Sequence, residues 1–292
     1  MTLTGLTSYV QEVKVPPHVR RWIGVGAVIA FALGFILAFR ALPDNMSANN
    51  IAVLIWVAVI GVPLTIVLNA LEMRTSAQAI GHGMTFASAF KVTVLGSAAN
   101  MLPLPGGTVV RVAALTRAGA GIGKSAGITM LVGALWLGLA GIVSAWGLAQ
   151  FSPRAGYIVG ALALAGSIVV LAVMLQQAKQ PLSVFKLMII KLALIATDLW
   201  CLSLCFAAIG FAVSPSQISV FAIAAALGAA VSIVPAGFGV REGVSALLAP
   251  AAKLGAAGGF LASAINRLIN MLVLMLAALC VVVLERRSEA PS

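Results

Sequence analysis

The sequence Pro105-Gly-Gly-Thr-Val-Val-Arg111 is matched 130 residues later by Pro235-Ala-Gly-Phe-Gly-Val-Arg241, and both copies share the pattern P-x-G-x-x-V-R. Each copy follows an apolar segment, 87–102 or 218–234, that is shorter than the about 20 residues a membrane-crossing helix needs. Proline and glycine interrupt helices, and irregular backbone persists at membrane depth only where protein or a water-filled cavity satisfies its polar groups. These patterns predict two re-entrant broken helices, at residues 87–107 and 218–240.

The composition is that of an integral membrane protein. The 292 residues are 62% apolar and 9% charged, with a mean hydropathy of +1.12, whereas soluble domains carry about a quarter charged residues. Seven acidic residues, two histidines and three cysteines within apolar runs argue against an acid/base active site, a metal centre or a disulfide framework. We therefore expect no enzyme activity, metal or cofactor. The net charge of +11 is assigned to loops that lie against anionic lipid, not to nucleic acid.

Six apolar segments are long enough to cross a bilayer as helices. Four are uncharged, at residues 22–39, 51–71, 125–148 and 155–178. The segment 187–212 contains Lys191 and Asp198, and the segment 258–284 contains Arg267. The sequence therefore predicts an all-α integral membrane fold of six transmembrane helices plus two re-entrant broken helices.

The distribution of Lys and Arg tests this topology, because cytoplasmic loops collect positive charge. With a cytoplasmic N-terminus and two re-entrant segments, eleven basic residues lie inside and four outside, whereas two full crossings would divide the same loops seven to eight. We therefore predict a multi-pass protein of the cell (inner) membrane with both termini cytoplasmic. The inside set is Lys14, Arg20, Arg21, Arg74, Arg111, Arg117, Lys124, Lys179, Lys186, Arg286 and Arg287, and the outside set is Arg40, Arg154, Arg241 and Lys253.

The offset of 130 residues also superimposes the predicted spans, the first on the fourth, the second on the fifth and the third on the sixth. Three crossings separate the two motifs, so the halves have opposite orientations, as in inverted-repeat transporters whose substrate site lies where the broken helices meet. We divide the single membrane domain, 1–292, into a cytoplasmic N-terminal segment (1–21), repeat 1 (22–150), repeat 2 (151–284) and a cytoplasmic tail (285–292).

Arg111 and Arg241 occupy the same position in the two motifs, where a new helix begins after the break. A helix N-terminus carries unpaired N–H groups and a partial positive charge, so an arginine there completes an anion site suited to phosphate. In the alternative, each arginine caps carbonyls freed by the break or extends to the membrane interface. Their symmetry favours substrate binding. Glu242, next to Arg241, either holds that arginine in a local ion pair or binds a coupling cation.

Lys91 lies within the short apolar segment 87–102, and three further charged groups lie inside the last two spans. Charge at mid-membrane is costly, so Arg267 needs a cavity or an acid, and Asp198 is the available acid. Asn270 shares a helical face with Arg267. Asp198 and Lys191, two turns apart, are coupling candidates, and a structural ion pair between helices is the alternative for both.

From about the second span to the last, the chain resembles a known membrane family. The similar motifs belong to the transmembrane flippase-like region of lysylphosphatidylglycerol synthases and related stand-alone membrane proteins. They are Val234-Pro-Ala-Gly-Phe-Gly-Val-Arg-Glu-Gly243, Asn100-Met-Leu-Pro103 with Arg111, and the pair Ser263 and Arg267. Thr108 stands where that family often has an acid, and residues 131–141 lack its usual arginine and acid. The soluble aminoacyl-transferring domain of the synthases has no counterpart in this sequence.

The resemblance implies a module that translocates or handles lipid without the synthase chemistry. With the paired arginines, it predicts a lipid translocase that moves an anionic lipid or lipid-linked head group between leaflets. The alternatives are a secondary transporter for a small soluble anion and a non-catalytic scaffold subunit of a lipid-modifying pathway. A homo-oligomer, or association with a lipid-modifying enzyme, fits these interpretations. The substrate-binding candidates are Arg111, Arg241, Glu242, Arg267, Asn270, Asn100, Gly107, Gly237 and Gly239.

Overall fold

A computed structural model describes residues 32–34, 36–37, 40, 48–100, 106–230 and 239–289, and this part of the chain is helical with no strand. A π-helical turn (Val57–Gly61) joins the first two helices, and a 3-10 helix (Ala249–Ala252) follows the tenth. The helices are α1 (Ala48–Trp56), α2 (Val62–Ala79), α3 (Phe86–Ala99), α4 (Gly106–Arg117), α5 (Ile122–Ala149), α6 (Pro153–Gln177), α7 (Pro181–Ala208), α8 (Pro215–Ser219), α9 (Ala222–Ala230), α10 (Val240–Leu248) and α11 (Ala256–Glu289).

Five segments of the described chain are helical, long and apolar enough to cross a membrane, which confirms the predicted all-α, multi-pass membrane class. They are Ala52–Ala79, Ile122–Ala149, Pro153–Gln177, Pro181–Ala208 and Ala256–Val281. The predicted first span, 22–39, falls largely outside the described residues. The largest difference is at the second span, predicted at 51–71, whose helix continues to Ala79 and takes Glu72 into the packed interior.

The π-helical turn between α1 and α2 has a local cause. Pro63 has no N–H to donate to the preceding turn, so the regular hydrogen-bond pattern is interrupted just before it. Gly61, at the end of the turn, lies directly against the Cys201 side chain of α7, and a Cβ at this position would collide with the Cys201 sulfur. The missing side chain therefore permits the close approach of α2 and α7.

The first Pro/Gly motif forms the beginning of α4, from Gly106 onward, and α4 packs on the preceding short helix α3. The Gly107 amide donates a hydrogen bond to Asn100 Oδ1 at 2.7 Å, which joins the end of α3 to the first turn of α4. A side chain at Gly106 would strike the Ala99 carbonyl. Close packing across this turn therefore requires glycine.

The second motif ends in the first residues of α10, and α10 packs on the short helix α9. Gly228 of α9 lies against the backbone and Cβ of Arg241 at the start of α10. Residues 101–105 and 231–238, including the predicted site residue Gly237, lie outside the described residues.

Helix α7 connects the parts of the core. It packs against α1, α2, α5, α6 and α11. Leu187 and Ile195 of α7 belong to one apolar cluster, with α2 and α5, while Leu202 and Phe206 belong to a second, with α11. One face of α7 is exposed, at Leu182, Ile189 and Leu192, while the rest of the helix packs on these neighbours. Charged side chains on the packed side must therefore find partners within the protein.

Candidate functional site

Glu72 of α2 lies at the centre of the first ion-pair group, which also contains Arg111 of α4 and Lys191 of α7. Arg111 Nη1 donates to Glu72 Oε1 at 3.0 Å, and Lys191 Nζ donates to Glu72 Oε2 at 2.7 Å. The Glu72 side chain is 1% exposed, whereas Arg111 is 27% exposed. A carboxylate at this depth is stable only when it is paired, so the two cations explain why α2 continues through Glu72 as a buried helix.

Lys191 has a second partner on α5. Its Nζ lies 5.2 Å from the centroid of the Trp136 ring, a distance at which an ammonium is attracted to the ring face. The lysine is buried, so this contact and the bond to Glu72 together compensate its lost hydration. The first ion-pair group therefore fastens α2, α4, α5 and α7 to one another.

The second ion-pair group contains Asp198 of α7, Arg241 and Glu242 of α10, and Arg267 of α11. Arg241 Nη2 donates to both oxygens of Asp198, at 2.9 and 3.0 Å. Arg267 Nη1 donates to Glu242 Oε2 at 2.9 Å. The Asp198 side chain is 25% exposed, far more than Glu72 or Glu242. Of the three carboxylates in the two groups, Asp198 is thus the easiest for a ligand or water to reach.

Two asparagines extend the second group along α11. Asn266 is fully buried, and its Nδ2 donates to Asp198 Oδ1 at 3.4 Å. Asn270 Nδ2 donates in turn to Asn266 Oδ1 at 3.0 Å and to the Asn266 carbonyl at 2.8 Å. Asn266 therefore links the Asp198–Arg241 pair to α11, and Asn270 fixes the orientation of the Asn266 amide.

The start of α10 is shaped by Gly239 and Glu242. Gly239 has a φ of +81°, in the left-handed region that glycine adopts without strain. Its amide donates to Glu242 Oε2 at 2.9 Å. The Glu242 carboxylate therefore binds the N-terminal turn of α10 and Arg267 at the same time.

The charges of the two groups do not cancel. Arg111, Lys191, Arg241 and Arg267 carry four positive charges, and Glu72, Asp198 and Glu242 carry three negative ones, which leaves +1 when all are ionised.

Both motif arginines also keep unused donors. Arg111 bonds through Nη1 alone and Arg241 through Nη2 alone to the described residues, although a guanidinium offers five N–H groups. The Arg111 side chain is 27% exposed and the Arg241 side chain is 14% exposed, so the unused N–H groups are partly open to a ligand at Arg111 and less so at Arg241.

Three buried oxygens near the second group accept or donate no hydrogen bond within the described part of the chain. They are Glu242 Oε1, Ser245 Oγ and Ser263 Oγ. Other helical hydroxyls bond to the carbonyl four residues earlier, as Thr197 does to Ala193 and Ser167 does to Ala163. The hydroxyls of Ser245 and Ser263 do not form this hydrogen bond, although both residues are at most 1% exposed.

The structure brings the predicted charged residues together in pairs other than those expected. Arg267 was expected to find Asp198, but it bonds to Glu242. Glu242 was expected to hold Arg241 or a cation, whereas Asp198 holds Arg241. Asp198 of α7 lies opposite Arg241 of α10. The α11 side chain that reaches Asp198 is Asn266, one residue before Arg267.

Other predicted residues have local roles. The Gly107 amide is already bonded to Asn100, so in this structure it is not free for an anion. Asn270 donates the hydrogen bonds described above to Asn266. Lys191 and Asp198 face different partners and do not bond to each other.

The sequence reasoning missed Glu72, Trp136 and Asn266 as members of the site. Glu72 directly follows the predicted span 51–71, where an acid looks like the first residue of a loop. The usable signal was rarity, because in a chain with seven acidic residues an acid next to an apolar span is a candidate partner for a buried cation. Trp136 carries no such signal, whereas Asn266 was recognisable as a polar residue next to Arg267 inside the last span.

Comparison with known proteins assigns no family. No protein-family model matches the sequence, and no curated protein matches it.

Proposed function

We propose that this protein is a lipid translocase that moves an anionic lipid or a lipid-linked anionic head group between leaflets. The observation that carries the proposal is the pair of motif arginines, each of which bonds to one carboxylate through a single nitrogen and keeps N–H groups that bond to no described residue. Guanidinium binds phosphate through two parallel N–H bonds, so these unused donors suit a phosphate head group. The excess positive charge of the two ion-pair groups favours a ligand with one negative charge.

The proposed architecture has six spans and two re-entrant broken helices in two inverted repeats. The offset that relates Arg111 to Arg241 also relates Trp136 to Asn266, which contact Lys191 and Asp198 respectively. Glu72 and Asp198 lie on α2 and α7, which the same offset pairs, although Glu72 maps to position 202, one helical turn beyond Asp198. Arg111 and Arg241 each bind an acid on the second span of their own proposed repeat, which supports an inverted-repeat arrangement.

A lipid fits the charged groups better than a soluble anion. A soluble anion needs a closed, water-filled path lined by several polar groups, whereas a lipid head group needs only a polar furrow while its tails remain in the bilayer. The described spans carry few polar side chains outside the two ion-pair groups and the asparagines beside them. The resemblance to lysylphosphatidylglycerol synthases, a feature of the motifs alone, points the same way.

The carboxylates act as internal substitutes for the head group in this proposal. Asp198 neutralises Arg241 when no lipid is present, and a phosphate that displaces Asp198 keeps the guanidinium neutralised. Asp198 is suited to this exchange because it is partly exposed and bonds to one cation, whereas Glu72 is buried and bonds to two. Exchange therefore takes place at the second ion-pair group, and the first group holds the helices together.

The test is lipid transfer in liposomes that contain the purified protein. Transfer of a labelled anionic lipid between leaflets is expected to accelerate, with little effect on a zwitterionic lipid. The variant Arg241→Lys keeps the charge and loses the planar two-pronged contact, so it should transfer lipid more slowly while remaining folded. The exposed Arg154→Lys is the matched control. Uptake of phosphate or sulfate without lipid transfer would support a secondary transporter instead. If folded protein shows neither lipid transfer nor anion uptake when ion gradients and a membrane potential are supplied, that result would support a scaffold subunit.

A further inference from the structure

A cavity of about 280 Å³ lies where the ends of α2 and α6 meet the beginning of α5. Its wall is mainly apolar, with Ile80, Ile128, Leu131 and Met174, and two lysines, Lys124 and Lys179, line it as well. The apolar lining residues belong to the core of the first apolar cluster or pack against it. The cavity is separate from the two ion-pair groups, and no residue of those groups lines it.

The two lysines are available for a ligand. Both are exposed, and neither forms an ion pair with a described residue. The backbone at Lys179 is fixed, because its amide donates to the Ala79 carbonyl at 2.8 Å, and its side chain lies along Gly81, whose φ is +81°. One of the two charges is therefore held near the end of α2, while the other stands in the first turn of α5.

The cavity lies at the ends of helices that are long enough to span a membrane, and lipid head groups meet their chains at such ends. α2 and α6 end at this point and α5 begins there, so its mouth is at the end of three membrane-spanning helices. Leu131 is nine residues from the first residue of α5, which places it about 14 Å along the helix from that end. The cavity thus runs from charged groups at the interface to apolar groups inside the membrane.

We propose that this cavity binds one anionic membrane lipid, with its phosphate between Lys124 and Lys179 and the upper part of a chain against Ile128, Leu131 and Met174. The charges complement a phosphate, and each basic group near a membrane surface strengthens binding of an anionic lipid by about 1 kcal/mol. The apolar wall adds burial that only a ligand with a hydrocarbon chain can use. A lipid therefore occupies the cavity, and a free phosphate does not.

The bound lipid lies near the first ion-pair group and can supply the lipid that exchanges at the second, a role that rests on the proposed function. Ala79 at the cavity is seven residues from Glu72 along α2, or about 10 Å. Met73, Ala77 and Val132 lie between the cavity and the first ion-pair group along α2 and α5, and each is at most 3% exposed. These side chains form an apolar barrier between the cavity and the first ion-pair group. The charge bias of the sequence puts the cavity on the cytoplasmic side, so loading is from the cytoplasmic leaflet.

Native mass spectrometry of the full chain in detergent tests the site with phosphatidylglycerol, phosphatidylcholine and glycerol 3-phosphate as probes. Phosphatidylglycerol should remain bound at low concentration, and the other two should not. The double variant Lys124→Gln with Lys179→Gln should lower the affinity for the tightest phosphatidylglycerol by about tenfold or more. Lys186→Gln, which removes an exposed lysine that does not line the cavity, should leave it unchanged.

Two further variants separate the cavity from the transport site. Ile128→Trp fills the apolar wall and should also weaken phosphatidylglycerol binding, whereas Arg241→Lys should retain it. Unchanged binding in the double lysine variant would overturn the cavity proposal, and so would equal binding of glycerol 3-phosphate or phosphatidylcholine. If binding follows the lysines but liposomes show no lipid transfer, the cavity site stands and the proposed function fails. If liposomes show lipid transfer but phosphatidylglycerol binding does not depend on Lys124 and Lys179, the proposed function stands and the cavity site fails.

Discussion

Lys191 and Asp198 lie seven residues apart on α7, yet each pairs with a charge from a different half of the chain. Lys191 bonds to Glu72 of α2, and Asp198 bonds to Arg241 of α10. Seven residues are about two helical turns, so one face of α7 presents opposite charges to two different partners. α7 is therefore held electrostatically to both halves, and a movement of either half changes the environment of the other ion-pair group.

Loss of the Glu72 charge should destabilise the protein more than loss of any other carboxylate in the two groups. Glu72→Gln leaves Lys191 buried without its counter-charge, and breaking a buried pair in this way costs about 3–5 kcal/mol. Thermal unfolding in detergent measures the effect. Adding Lys191→Met to Glu72→Gln should recover much of the lost stability, because the uncompensated ammonium is then absent. A Glu72→Gln protein as stable as the parent would contradict the structural role of the first group.

Removal of the Asp198 charge should strengthen binding of an anionic lipid. Asp198→Asn frees the Arg241 guanidinium from its partly exposed partner, so an incoming phosphate no longer competes with a carboxylate. Lipid binding measured by native mass spectrometry should show a higher affinity, and transport should slow because release from Arg241 becomes harder. An unchanged affinity in folded Asp198→Asn protein would exclude the exchange of carboxylate for phosphate.

The buried hydroxyl of Ser263 should be dispensable for stability. Ser263 Oγ has no hydrogen-bond partner among the described residues, so Ser263→Ala removes an unsatisfied polar group and should raise stability by about 1 kcal/mol. Ser144→Ala is the opposite case, because Ser144 Oγ donates to the Val220 carbonyl at 2.7 Å, and the variant should lose about 1–3 kcal/mol. Thermal unfolding distinguishes the two. Destabilisation by Ser263→Ala would indicate that the hydroxyl binds a ligand or water.

Two glycines on spanning helices should respond differently to alanine. Gly61 contacts the Cys201 side chain, and a Cβ there would force α2 and α7 apart, so Gly61→Ala should destabilise the protein by about 1–3 kcal/mol. Gly166 of α6 has open space around the added carbon, so Gly166→Ala should cause no loss. Expression yield and thermal unfolding in detergent report both effects. Equal tolerance at both positions would contradict the close approach of α2 and α7.

The topology is tested by labelling of single cysteines in a background without the three native ones. Cysteine at position 117 or 124 should react with an impermeant reagent from the cytoplasmic side, and cysteine at position 253 from the outside. The reason is the excess of basic residues in the predicted cytoplasmic loops. Labelling of position 117 from the outside would overturn the inverted-repeat arrangement.

The spans that the structure describes were predictable because hydrophobic length is a local property. About 20 apolar residues must cross the bilayer as a helix whatever they pack against, so their positions follow from composition alone. The ends of the helices were less predictable, and the second span shows why. Its helix continues through Glu72 because Arg111 and Lys191 neutralise the carboxylate, and both lie far away in the sequence.

The sequence by itself determined the membrane class, the positions of the apolar helices and the presence of charged residues that need partners. Only the tertiary structure decided which charges pair. Lys191, Asp198 and Arg267 each had several possible counter-charges at the level of sequence, because the choice depends on the register and rotation of packed helices. A rotation of α7 by one residue, about 100°, would carry Asp198 away from Arg241. The pairing is therefore a property of how the helices pack on one another, and no single helix encodes it.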